Sequence, residues 1–273
     1  MFFKLIYIII TCINFFKKNR ITFVEIMGLE ILNQIELIQV SSSLFFVIIS
    51  LIVGFKILFT YFKYKNEVFI TVGITWIFLS SPWWGNAISF FTFALYEQEI
   101  SLFWDLFLGN IFLAVAVLCW VYSFCDLLYK HLKKRIMTIY FLICIPYEIF
   151  LIIFFFTDLS IIGTSTARFN TEHNIYPFSF QILAILTALI TGILVAKASI
   201  KSSDKKIQWK GRFLLIGFVS FTLAAIFDAA IPMTPILLAI IRIVLISSAI
   251  EYYLGFLLPE KLANWLVNLK ISK

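Results

Sequence analysis

The sequence predicts an all-α, polytopic membrane protein: a seven-transmembrane helix bundle with its N-terminus outside and its C-terminus cytoplasmic. Three observations carry this. Of 273 residues, 62% are hydrophobic and only 14% charged, and the mean hydropathy of +1.00 lies well beyond that of an ordinary soluble domain. Apolar runs of about 20 residues, the length that crosses a bilayer as a helix, recur along the chain with the charges gathered between them. Cations are abundant in every second connection and nearly absent from the others, which is the pattern that orients membrane helices.

Hydrocarbon offers no hydrogen bonds, so each crossing segment must satisfy its own backbone, and a helix does so. Seven are expected: Ser41 to Phe62, Val68 to Leu95, Leu102 to Leu128, Ile136 to Thr157, Phe178 to Ala196, Phe213 to Ile231 and Pro235 to Leu258. The second is expected to bend at Ser81-Pro82, where proline removes one ladder bond and crowds the preceding turn. The connections after spans one, three and five carry Lys63 and Lys65, then Lys130, Lys133, Lys134 and Arg135, then Lys197, Lys201, Lys205, Lys206, Lys210 and Arg212. The tail adds Lys261, Lys270 and Lys273, against Arg168 alone on the other side, where Glu30, Glu36, Glu97, Glu99, Asp158 and Glu172 gather. By the positive-inside rule the long loop from Asp158 to Tyr176 is outside and the lysine-rich connections are cytoplasmic.

Residues 27–258 thus form the seven-helix domain. Residues 1–26 fit it poorly: Phe2 to Phe16 is apolar but short, and Lys17, Lys18 and Arg20 follow it. An interfacial segment, or a true start at Met27 in place of Met1, is the favoured account, because a signal peptide would carry its charges ahead of the apolar stretch. At the carboxyl end, residues 259–273 are read as a short helix: Leu258, Leu262, Trp265, Leu266 and Leu269 share one helical face, with Pro259 suited to open the helix at its first position. This reads as a short amphipathic helix on the cytoplasmic membrane surface.

Ionisable groups at membrane depth cost at least about 2.5–3.5 kcal/mol on insertion scales and so need partners or a wet cavity. Counting about 1.5 Å per residue, Asp105 and Asp228 lie roughly 5–7 Å deep, and Asn110, Glu148, Arg242 and Asn86 roughly 13 Å deep. Asp105, Asn110, Glu148, Asp228 and Arg242 are therefore the candidate ligand-binding residues of an outward-facing pocket. Three acids against one arginine imply that a cationic ligand completes the site or that burial keeps one carboxyl protonated. The competing account makes Arg242 and Asp228 a helix-pairing salt bridge across the turn between spans six and seven. Nearer the cytoplasm, Lys56 and Glu251 fall at similar depth on spans expected to be neighbours, and a bridge there would report helix movement. Tyr61, Tyr96, Trp209, Tyr252 and Trp265 are expected at the membrane interfaces as belt anchors. Cys119, Cys125 and Cys144, inside expected spans, and Cys12 show no CxxC spacing and read as small packed side chains.

Several chemistries lack their residues. The last span has no lysine for a retinal Schiff base. His131 and His173 are both in connections, so no histidine pair ligates haem within the bundle. There is no HExxH, GxSxG or Walker pattern, so neither an enzyme nor a cofactor is expected. The basic residues form no stripe of their own, which argues against nucleic acid.

The carboxyl end reads Gly-Arg-Phe-Leu-Leu-Ile-Gly-Phe from Gly211, then Asp228, Pro235, Arg242, and Tyr-Leu-Gly-Phe-Leu-Leu-Pro-Glu from Tyr253 to Glu260, followed by Leu262 and Trp265. This resembles the seven-helix input region at the amino end of many archaeal and bacterial sensor histidine kinases. The likeness is clearest over the last two spans and extends to the rest as topology. It implies a sensory role, with the helix leaving the membrane carrying the signal. No phosphoacceptor histidine or Gly-rich ATP lid follows Pro259, so the expected kinase is a separate polypeptide.

The first expectation is a cell-membrane sensor that relays an outer small-ligand or membrane signal to a separate cytoplasmic signalling protein, its partners otherwise being the lipid bilayer and, in a homodimer, its own copy. A small-cation or proton-coupled transporter or channel would use the same acids as relay sites, although no inverted repeat supports it. A non-catalytic subunit of a membrane complex is the third reading.

Overall fold

The computed structural model describes residues 31–231 and 234–271. The expectations for residues 1–26, the choice of Met1 or Met27, Cys12 and Glu30 lie outside them.

Seven helices are long and apolar enough to cross a membrane. Span one is Gln34–Tyr64, two turns longer at its start than the apolar run alone indicates. Its entry is a capping box, in which the Asn33 side chain accepts from the Glu36 backbone N–H and Glu36 accepts from that of Asn33, both at 2.9 Å, so two donors that the helix would leave orphaned are satisfied. Span two breaks where Pro82 predicts it should: Val68–Leu79 and Trp84–Tyr96 flank a single tight turn, Ser81–Trp83. Span three, Leu102–Asn110 then Leu113–Leu128, has a second interruption that sequence reading did not anticipate. There the Asn110 side chain donates to the Leu106 carbonyl at 2.8 Å, competing with the ladder bond that the same carbonyl accepts in a regular helix.

Span four is Lys133–Thr157 and five is Ile175–Ile200. Six, Lys205–Ala230, extends well beyond its apolar portion, while seven is Pro235–Phe256, opened by Thr234 as cap and Pro235 in the first turn. Pro259 stands one place earlier than expected: its carbonyl accepts the Ala263 N–H at 2.9 Å, and the terminal helix runs Glu260–Ile271. That helix packs through Ala263 and Leu266, together with Leu258 just ahead of it, against Leu254 of span seven and against Trp209 and Phe213 of span six.

Spans one, two, three, five, six and seven close a ring in that order, with one beside seven as expected. Span four lies outside it, packed along span three and joined to five by the stack of Tyr147 on Phe180 at 3.7 Å and by a 3.0 Å bond between Tyr140 and Thr187 hydroxyls. Its remaining surface, including Leu142, Ile149, Phe150 and Phe156, is exposed, as suits a helix turned to lipid.

Aromatic rings fill the ring's axis. Trp76 stacks on Tyr252 at 4.2 Å and touches Phe221, while Phe218 meets both Tyr252 and Trp120. Tyr252, 1% exposed, is thus a core residue and not an interfacial anchor, whereas Tyr96 and Trp265 are exposed. A residue one turn from a helix end lies in the interior when its face points there. Interhelical hydroxyl bonds knit spans two, three and five: Thr71 with Ser123 at 2.6 Å, and Trp120 Nε1 to Thr191 at 2.6 Å, a common device between membrane helices.

The other unforeseen element is a β-hairpin within the connection from span four to span five. Strands β1, Gly163–Ala167, and β2, Asn170–His173, pair antiparallel. Phe169, at the turn with φ of 59°, is buried among Leu32, Val40, Phe90 and Phe93.

Candidate functional site

At the hairpin end of the ring is a cavity of about 780 Å³, within the range typical of small-molecule sites. Its floor is built on spans two, six and seven. Asp228 Oδ2 accepts from Trp83 Nε1 at 2.8 Å and lies 2.9 Å from Arg242 Nη1. The salt bridge weighed from sequence is therefore present, and it sits at the base of a cavity. The local reasons are simple: the Ser81–Trp83 turn brings Trp83 inward, and the short connection between six and seven sets the two charges side by side.

Arg242 is 1% exposed. Its Nε has no hydrogen-bond partner among the described residues, while its Nη1 faces Asp228. Its guanidinium carbon lies 5.9 Å from the centre of the Trp83 ring. Below the floor, Phe221 and Trp76 begin the aromatic column, and the next void down the axis holds only about 10 Å³.

The wall is Asp105, one turn into span three. Thr171 of the hairpin donates to its Oδ2 at 2.6 Å, and its Oδ1 packs on the Gly85 backbone so closely that a Cβ there would collide with it. Hairpin residues 167–173 form the roof. Glu99 accepts from the Phe169 N–H at 3.0 Å, Arg168 lies 3.9 Å from Glu36 of span one, and the Arg168 guanidinium is 5.5 Å from the Phe93 ring. His173 lines the cavity as well. Burial pushes its pKa down to about 4, so the ring is neutral at ordinary pH.

Of the five residues picked from sequence, Asp105, Asp228 and Arg242 line this one cavity, and Asn86 joins them. Asn110 lies behind the wall: fully buried, it accepts from Gln181 Nε2 at 3.1 Å, and it is Gln181 that lines the cavity. Glu148 stands apart on span four, outside the ring and beside Tyr147, and its Oε1 has no partner among the described residues. Its depth counted along the sequence equals that of Asn110 and Arg242, but depth does not report which way a helix faces.

Residues that sequence reading did not select also shape the site: Glu36, Gly85, Arg168 and Thr171. Glu36 had a readable signal, since Asn33 followed by Glu36 is a capping-box pattern. Thr171 had none, because its role depends on where the hairpin lands.

The expected contact between Lys56 and Glu251 is absent among the described ion pairs. Glu251 instead accepts from Ser220 at 2.6 Å and Ser247 at 2.7 Å, and Lys56 Nζ lies 5.6 Å from the Tyr253 ring. Two nearby hydroxyls satisfy the carboxylate without reaching across to span one. At that end of the bundle Lys210 donates to the Phe256 carbonyl at 2.9 Å, tying six to the last turn of seven.

No protein-family model matches the chain, and no curated protein matches it either.

Proposed function

We propose that this protein is a membrane receptor: a small ligand enters the hairpin-capped cavity from outside and shifts spans six and seven, which relay the change to a cytoplasmic signalling partner. The observation that carries this reading is the position of the Asp228–Arg242 pair. It forms the cavity floor, and each partner belongs to one of the two spans that hold the terminal helix at the opposite end. A ligand that alters the pair acts directly on the spans that leave the membrane, as differential contact with two states requires.

The orientation rests on the lysine and arginine asymmetry, which supports a cytoplasmic position for the terminal helix and an outer one for the hairpin. The resemblance to kinase input regions agrees with the direction of relay. The aromatic column below the cavity favours a receptor over a channel, since Trp76, Tyr252 and Phe218 occupy the path that an ion would need.

Spin labels at Lys201 and Lys261, in protein reconstituted in nanodiscs, test the relay. Addition of a ligand that binds the cavity is expected to change the distance distribution between them, with no ligand-driven flux in proteoliposomes. Binding with an unchanged distribution would contradict the relay, and uptake lost in Asp105→Asn would favour transport.

A further inference from the structure

Resting on the receptor reading above, we infer that the cavity takes a small organic cation that also carries a hydrogen-bond acceptor, the amine held at Asp105 and the acceptor at Arg242. The ionisable acids and guanidinium groups on the lining are Glu36, Asp105, Glu172 and Asp228 against Arg168 and Arg242. Two acids are matched: Asp228 by Arg242 at 2.9 Å and Glu36 by Arg168 at 3.9 Å. Asp105 and Glu172 have no ion-pair partner among the described residues. A surplus of one sign inside low-dielectric walls focuses the field and concentrates ions of the opposite sign.

Asp105 is also held ready, with Thr171 on one oxygen and the Gly85 backbone against the other, so little ordering remains to be done when a cation arrives. Trp83, Phe169, Phe178 and Phe221 add aromatic surface to the lining, and ring faces attract alkylammonium groups.

Arg242 supplies an independent indication. A guanidinium 1% exposed, on the cavity floor, with Nε lacking an acceptor, bears the cost of an unmade hydrogen bond on a charged group. A ligand hydroxyl or carbonyl would remove that cost. A simple anion would satisfy Arg242 but would meet four carboxylates. A bare metal ion would leave Arg242 unsatisfied, and among the described residues no group of three His, Cys, Asp or Glu is placed to hold one.

The test is calorimetric titration of the full chain in nanodiscs. Choline, ethanolamine and tyramine are the cationic probes, 3,3-dimethyl-1-butanol is the neutral isostere of choline, and succinate and glucose represent anions and neutral polar molecules. The expected result is saturable binding of at least one cation, weakening as salt is raised, without binding of the neutral isostere. Asp105→Asn should lower that affinity roughly tenfold or more. Glu172→Gln, on the exposed side of the hairpin, should lower it roughly two- to threefold through the weaker field with an unchanged melting temperature, and this variant keeps the test decisive if Asp105→Asn fails to fold. Cation binding indifferent to both substitutions overturns the inference. Binding of succinate or glucose and of no cation overturns it while leaving the receptor reading intact, and absence of binding across all three classes overturns both.

Discussion

Spans two, six and seven each serve two environments within a few turns. Near the hairpin, Trp83, Asp228 and Arg242 meet around a cavity; nearer the other end, Trp76, Phe221 and Tyr252 on the same spans close against each other with no appreciable void. The difference lies in what each group needs. Stacked rings gain most by excluding everything else, whereas a buried ion pair demands hydrogen bonds that its neighbours only partly provide. One end of the bundle is built as a plug and the other as a site.

The sharpest way to break that contrast is Arg242→Gln. Removing one partner leaves Asp228 in poorly solvated surroundings, and a loss of about 3 kcal/mol is expected, read by thermal melting in detergent. Adding Asp228→Asn should recover most of it, since no uncompensated charge then remains. If the double variant is no better than the single one, the pair is not what holds the floor. Trp76→Leu should cost about 2 kcal/mol through lost packing, while cavity binding survives. Gly85→Ala should cost about 1–2 kcal/mol, the range for overpacking, because the new methyl group displaces the Asp105 carboxylate. Unlike Trp76→Leu, it should impair ligand binding more than stability.

The smallest effect concerns the roof. His173 is pushed down to about 4 by burial, so between its ordinary value and that one the unfolded chain binds more protons than the folded protein. Stability contributed by the neutral ring is complete above about pH 6.5 and is lost as pH falls toward 4. The melting temperature should decline over that window, and His173→Gln should flatten part of the decline.

Legibility in the sequence follows the same division. The spans were legible because hydrocarbon imposes length and apolarity locally, and the break at Ser81-Pro82 because proline cannot donate. The Asp228–Arg242 contact was legible because a short turn leaves the two little freedom. Span four was harder: hydropathy reports that a helix sits in oil, not whether that oil is lipid or neighbouring helices, so Glu148 was grouped with residues it does not meet. The hairpin was not legible at all. Its strands are short and polar, and their place depends on Phe169 reaching Phe90 and Phe93 and on Thr171 reaching Asp105, contacts remote in sequence. For Glu251, the nearby serines were the better partners, and charge matching alone passed over them.

On the proposed function, water and ligand reach this cavity from the face opposite the lysine-rich connections. Single cysteines at Ala225, on the lining, and at Lys201, in the connection between spans five and six, decide it when introduced into a chain with its native cysteines replaced by serine. A membrane-impermeant thiol reagent added to intact cells should modify the Ala225→Cys protein and spare Lys201→Cys until the cells are permeabilised. Modification of Lys201→Cys alone before permeabilisation would place the cavity on the cytoplasmic side and overturn this orientation.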